Sequence, residues 1–229
     1  NLYYATPEGS VVKINYETGD QLWVNNFKNS YLNFIQKINY FYIMNNVMKY
    51  VITGHKSGIG KSIFDYYAKQ SDTYCIGYDK SHHLDLNDPK VHSDFVGNCK
   101  DASVIVLNAH TGQQHISLEN LYNLYKQQSK HIIVMGSMVS KLWKTPQEVP
   151  QGFENYWSQK KLLDKSIEEL YNPNIPFKIS IIRPAWVDTQ LAQEYSGKKL
   201  TIESVLNSVR FIIENKDAHI TNMELQCTN

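Results

Sequence analysis

Cysteine is scarce in this chain: Cys75, Cys99 and Cys227 are the only three in 229 residues. An odd number at wide spacing forms neither a disulfide framework nor a zinc pattern, so reduced thiols of a cytoplasmic protein are expected. An excess of one charge is missing too. Lys and Arg number 23 against 22 Asp and Glu, a formal net charge of +1, which lacks the basic footprint of a nucleic-acid binder. No apolar run approaches the roughly 18 residues that suggest a membrane span; the longest are interrupted by Asn, Lys or Gly. The opening Asn1-Leu2-Tyr3-Tyr4 lacks the charged start and apolar stretch of a secretory signal. What is there is a chain 42% hydrophobic and 20% charged, enough for the core of one large domain, or of a medium domain with an appendage.

The composition changes near residue 48. Before it, Leu2–Ala5, Val11–Asn15 and Gln21–Val24 read as short strands, separated by turn chemistry at Pro7-Glu8-Gly9 and Glu17-Thr18-Gly19-Asp20. This segment resembles one repeat of a quinoprotein-type β-propeller. A lone blade cannot bury its faces, and no second copy follows. Residues 25–47 show no clear period. Residues 1–47 therefore read as an N-terminal appendage or the end of a neighbouring coding unit, with Met48 as a natural start.

From Met48 onward strands and helices alternate. Strands are expected at Tyr50–Ile52, Tyr74–Tyr78, Ser103–Leu107, His131–Met135, Phe177–Ile182 and His219–Leu225. Helices are expected at Gly58 to about Gln70, Pro89–Lys100, Leu118–Gln128, Glu154–Tyr171 and Thr201–Glu214. A β-α-β-α order argues for an α/β fold over residues 48–229: a Rossmann-like, doubly wound parallel sheet in three α/β/α layers.

Thr53-Gly54-His55-Lys56-Ser57-Gly58-Ile59-Gly60 joins the first of these strands to the first helix. Gly54 permits a tight turn, Gly58 lets the backbone approach a pyrophosphate, and Gly60 lets the helix pack against the strand. The helix N-terminus then offers free N–H donors to phosphates. At this position the pattern Thr-Gly-x-x-x-Gly-Ile-Gly resembles the short-chain dehydrogenase/reductase family. That resemblance implies that the turn, with Lys56, Ser57 and Ile59, binds NAD or NADP.

Asp79 ends the second strand, where a carboxylate can accept hydrogen bonds from the adenosine ribose and so favours NAD. Lys56 and Lys80 argue for the 2′-phosphorylated form, since either can pair with a phosphate. The resemblance implies further cofactor contacts at Asp85 and Leu86, at Asn108 and Ala109, and at Pro184, Val187 and Thr189. His110 stands where the family has glycine; it is either a substrate contact or an exposed loop histidine. The family places its catalytic serine where Ser137 closes the strand His131–Met135.

Tyr156 and Lys160 lie four residues apart, on one face of a helix. A phenol with a pKa near 10 is a poor acid/base group at neutral pH, and a nearby ammonium lowers that value. Tyr122 and Lys126 share the spacing but precede the serine strand, so Tyr122 is expected to be a packed helix residue. The family's fourth catalytic member is an Asn on the helix before the serine strand; Asn120 is preferred over Asn123. Tyr156 and Lys160 are also expected to touch the cofactor.

The resemblance runs from Met48 to about Gln226 and is short for the family. The usual helix and strand between Asp79 and Asp85 are missing, and the loop Gln190–Lys199 is brief. Conversely, the stretch Ser140–Phe153 is long, and its Trp143, Pro146, Pro150 and Phe153 are placed to shape a substrate pocket. The implied activity is NAD(P)-dependent hydride transfer on an alcohol/carbonyl substrate. Two rival readings are a sugar-nucleotide epimerase or dehydratase using the same Ser, Tyr and Lys, and a non-catalytic dinucleotide-binding or sensor module. The implied partners are a small-molecule substrate and a second copy of the chain, joined through the helices carrying Tyr122 and Tyr156; nucleic acid, membrane and metal are not expected.

Overall fold

The computed structural model describes residues 2–5, 10–14, 21–26, 47–215 and 217–228. The chain divides into two compact units, Asn1–Val47 and Met48–Asn229. In the first, strands β1 (Leu2–Ala5), β2 (Ser10–Ile14) and β3 (Gln21–Asn26) form an antiparallel meander. Its register pairs Leu2 with Ile14 and Val12 with Val24, with a shift between Lys13 and Ile14. The two turns read from the sequence, and the stretch 27–46, lie outside the described residues.

The second unit holds six parallel strands: β4 (Met48–Thr53), β5 (Thr73–Tyr78), β6 (Val104–Leu107), β7 (His131–Met135), β8 (Lys178–Pro184) and β9 (Asn222–Leu225). Their order is β5-β4-β6-β7-β8-β9, so the chain steps outward from β4 to β5 and then reverses across the sheet. The switch lies between β4 and β6, and in open α/β sheets ligands bind at the carboxyl ends of the strands at such a point. The helices of ten residues or more are α1 (Gly58–Tyr67), α2 (Pro89–Asn98), α3 (Gln114–Tyr125), α4 (Glu154–Leu170) and α5 (Ile202–Glu214).

Period-two alternation along the strands feeds two separate cores. Val51, Ile105, Ile132, Val134 and Ile181 face one way, against Phe95 of α2, Leu118 and Leu121 of α3, and Leu163 of α4. Tyr50, Ile52, Val106, Ile133 and Ile182 face the other, against Ile63 of α1 and Val205 and Val209 of α5. The result is the three-layer doubly wound sheet that the strand–helix alternation implied.

Several boundaries differ from the sequence reading. Helix α3 begins at Gln114, one turn before the expected Leu118. Its first turn is polar, so the apolar stripe starts late. Helix α1 ends at Tyr67 rather than about Gln70. The last strand begins at Asn222 rather than His219, because residues just before it meet β8 through single contacts: His219 Nε2 with Ile179 O at 3.0 Å and Ser180 Oγ with Ile220 O at 2.5 Å. Between Asp79 and Asp85 the described backbone forms only a 3₁₀ turn, Lys80–His82. Among the described residues no helix is long and apolar enough to cross a membrane.

Candidate active site

The glycine turn begins where β4 ends. Gly54 and Gly58 take positive φ, +71° and +51°, a region costly for other residues. Gly60 has a different constraint: a Cβ there would collide with the Gly54 carbonyl oxygen, so the helix meets the turn only without a side chain. Ser57 caps α1 in an extended conformation without a side-chain hydrogen bond, whereas Asp88 caps α2 by accepting from the Lys90 amide at 2.8 Å. The first-turn amides of α1 therefore bear no side-chain cap, and the bare glycine backbone forms a cradle that fits a pyrophosphate.

Asn108 and Ala109 follow β6 and stitch it to β4. Their amides both donate to Thr53 Oγ1 at 2.9 Å, and Asn108 Nδ2 donates to Thr53 O at 3.2 Å. Thr189, half-buried beyond β8, lies against Gly58: a Cβ on that glycine would sit 3.3 Å from Thr189 Cγ2. Val187 is buried, and Pro184 ends β8.

Asp79, at the end of β5, is half-buried, and its Oδ2 accepts from the Lys56 amide at 3.4 Å. Its Oδ1 accepts from the Ser81 amide at 2.9 Å and the Ser81 hydroxyl at 2.6 Å. Burial alone raises its pKa; the Ser81 and Lys56 hydrogen bonds and the charge of His55 outweigh this and hold it below the usual value. Buried His55 lies across β5 at Gly77, where any Cβ would collide with its ring. Lys56 and Lys80 are exposed. Asp85 closes a short turn by accepting from the Asn87 amide at 3.0 Å, while Leu86 is buried in the core.

Ser137 closes β7 and is buried, and its Oγ accepts from the Val139 amide at 3.3 Å. Tyr156 projects from the first turns of α4, half-buried. Burial pushes its phenol pKa up, and a hydrogen bond with Ser137 pulls it back. The His110 ring packs edge-on against Tyr156, centroids 4.8 Å apart. Burial and the Lys160 charge hold the His110 pKa below its usual value, favouring the neutral imidazole. His110 is thus both an exposed loop residue and a neighbour of the phenol.

Lys160 lies one turn beyond Tyr156, with Nζ 5.6 Å from the phenol ring centroid. It is 4% exposed, and burial lowers its pKa to about 8, with Asp164 opposing the shift. Nζ donates to Gln114 Oε1 at 2.8 Å and to Met135 O at 2.9 Å. Gln114 is itself buried, and its Nε2 donates to Leu107 O at 2.5 Å and Met135 O at 3.2 Å. Sequence reasoning missed this residue. Asn120 and Asn123 are exposed on α3, and the side chain from that helix that meets Lys160 is that of Gln114. Behind Lys160, buried Asp164 pairs with buried Arg183, whose Nη2 lies 2.8 Å from Oδ1. Tyr122 packs edge-to-face on Phe177 at 5.5 Å, away from these groups.

No family model matches the chain, and no curated protein matches it in sequence. Solved structures do. A 3-α-hydroxysteroid dehydrogenase from Pseudomonas sp. B-0831, complexed with NADH, superposes with a TM-score of 0.60 at 15% identity, over 77% of this chain and 94% of its own. An alcohol dehydrogenase from the archaeon Thermococcus sibiricus, complexed with 5-hydroxy-NADP, gives 0.57 at 17% identity, over 80% and 99%. A short-chain dehydrogenase/reductase from Vibrio parahaemolyticus gives 0.58 at 20% identity, over 77% and 95%. The chain has the short-chain dehydrogenase fold. Each superposition takes in more than nine-tenths of the other protein.

Proposed function

We propose that the protein is an NAD(P)-dependent oxidoreductase of the short-chain dehydrogenase/reductase type, acting on an alcohol/carbonyl pair. One observation carries this reading. Ser137, Tyr156 and Lys160, from β7 and two successive turns of α4, meet at the carboxyl ends of the strands, where the uncapped glycine turn also opens. The solved structures that share the fold include complexes with NADH and with 5-hydroxy-NADP, which supports a dinucleotide as the ligand.

The residues that would hold the dinucleotide are Gly54, Lys56, Ser57, Gly58, Ile59 and Gly60 at the phosphates, and Asp79, Asp85 and Leu86 at the adenosine. Asn108, Ala109, Pro184, Val187 and Thr189 would border the nicotinamide. Asp79 favours NAD over NADP. When bound, the cofactor supplies or accepts the hydride. In the reducing direction Tyr156 gives its phenolic proton to the carbonyl oxygen, and Ser137 Oγ donates a hydrogen bond to the same oxygen. The Lys160 ammonium favours the phenolate that remains. Gln114, rather than Asn120, completes the set by holding Lys160.

Residues 48–229 form the catalytic unit in this reading, with a small-molecule substrate. Self-association through α3 and α4 is supported by the exposure of Leu124 and Leu162 on those helices. A cytoplasmic location accords with the free cysteines.

The test is a fluorescence titration with NADH and, separately, NADPH, paired with a turnover screen. Tyr156→Phe is expected to keep cofactor affinity within about twofold and to lose turnover by roughly 10²–10⁴-fold. Failure of the native protein to bind either nucleotide would overturn the reading.

A further inference from the structure

The segments that leave β7 and β8 carry a row of aromatic rings that proton transfer does not use. Trp143, beyond Ser137, meets Phe153 edge-on with centroids 5.9 Å apart. Phe153 stands immediately before α4, one turn ahead of Tyr156, and meets Trp186 nearly perpendicularly at 5.7 Å. Trp186 follows β8 and lies flat on Tyr195, with 4.6 Å between centroids and 16° between planes. The row is anchored to α4, because Trp157 Nε1 donates to the Trp143 carbonyl at 2.8 Å. It is anchored to the catalytic strand as well, because the amide next to Ser137, that of Met138, donates to Pro184 O at 3.1 Å.

These rings do not close into a sealed core. Trp143, Phe153 and Trp186 are half-buried, and Tyr195 is 37% exposed. Leu142 and Leu191, on the same two segments, are 58% and 78% exposed. Large apolar side chains gathered in the open beside reactive groups mark a ligand surface.

The loop that carries Tyr195 is pinned at its base. Val187 bridges Leu200, the Asp188 amide donates to Leu200 O at 2.8 Å, and the Leu200 amide donates to Trp186 O at 2.7 Å. Between these pins Tyr195 folds down onto the indole. Gly197 makes that possible, since a Cβ there would collide with the Tyr195 hydroxyl.

We propose that the site takes a carbonyl or alcohol compound bearing a planar aromatic ring, and that this ring stacks on Trp186 in the place Tyr195 holds. Aromatic rings prefer offset-stacked partners, and the face of Trp186 that Tyr195 covers offers one. Tyr195 is then an intramolecular competitor that leaves as substrate enters. The assignment of the carbonyl rests on the oxidoreductase reading; the ring preference is read by binding alone.

Acetophenone and cyclohexyl methyl ketone carry the same carbon count and the same acetyl group, and differ in whether the ring is flat. Calorimetric titration of the full chain with each, with and without NAD+, which cannot reduce a ketone, should show acetophenone binding at least about fivefold more tightly. Trp186→Ala should erase that preference, and Trp186→Phe should keep most of it while guarding against a folding defect. Tyr195→Ala should tighten acetophenone binding several-fold, the opposite sign to a merely structural role. Equal binding of the two ketones, or a preference untouched by Trp186→Ala, would overturn the inference even if aliphatic ketones are turned over. The stacking pattern without any turnover would instead remove the oxidoreductase reading and leave this one standing.

Discussion

Lys160 illustrates what a single residue must reconcile. Its ammonium is buried, which costs solvation, and it is supported there by Gln114 Oε1 and Met135 O, which accept its hydrogen bonds, and by the charge of Asp164. Folding lowers its pKa to about 8, so the charge is lost as pH rises through that value. Gln114→Leu removes one acceptor from Lys160 and the side-chain donor to Leu107 O, leaving Met135 O to hold Nζ. A charge-assisted hydrogen bond of this kind is worth roughly 1.5–3 kcal/mol, so kcat should fall about 10–100-fold. The charged form also loses support, so the alkaline limb of the pH–rate profile should move to lower pH. Asn120→Ala, on the exposed side of the same helix, should leave both within about twofold; an equal loss there would count against Gln114. The sequence could not disclose this pair. Tyr156 and Lys160 are legible because i and i+4 share a helix face, whereas Gln114 meets Lys160 across 46 residues and sits in a polar first turn with no apolar period to mark it.

At the scale of the element, the turn between β4 and α1 is constrained from several sides at once. Gly54 and Gly58 need positive φ, and Gly60 must have no side chain. Gly60→Ala keeps a permitted φ yet drives a methyl into the Gly54 carbonyl, so the helix must shift outward. Overpacking of this sort destabilises by roughly 1–3 kcal/mol. The variant should melt several degrees lower and lose affinity for NADH and NADPH together; unchanged affinity would dissociate the turn from the nucleotide. This element was legible because three separate constraints converge on three glycines within seven residues of one another. The strands β4, β6 and β7 were legible as short apolar runs between turn residues. The start of helix α3 was not, because it is fixed by the buried contacts of Gln114 rather than by any capping residue. The last strand was overrun because His219 and Ile220 have strand-like side chains but meet β8 through a ring nitrogen and a carbonyl.

For the whole molecule, acid is the natural probe. His131 of β7 sits beside β8, its Nε2 2.7 Å from Ser180 Oγ, with the His219 ring 5.7 Å away. Burial, then the charges of His219 and Lys178, lower its pKa to about 4. The unfolded chain takes up this proton near the ordinary value of about 6.5. Stability is therefore intact above pH 6.5 and declines as pH falls from there to about 4, by up to roughly 3 kcal/mol. Melting curves across that window should show the decline, and His131→Gln, which does not titrate, should flatten it. A chain of residues 48–229 alone should melt cooperatively and bind the same nucleotide; loss of either would place residues 1–47 inside the functional unit. The sheet order has one more consequence. β5 forms one margin of the sheet, with β4 as its only strand partner among the described residues. Its sequence, Thr73-Tyr74-Cys75-Ile76-Gly77-Tyr78, holds neither proline nor charge, and Tyr74 is 57% exposed. Natural sheets blunt such margins with lysine, proline or a bulge, because an unpaired row of amides is a template for another chain's backbone. Among the described residues this margin is thus a seam along which crowded or partly opened copies can adhere, strand to strand.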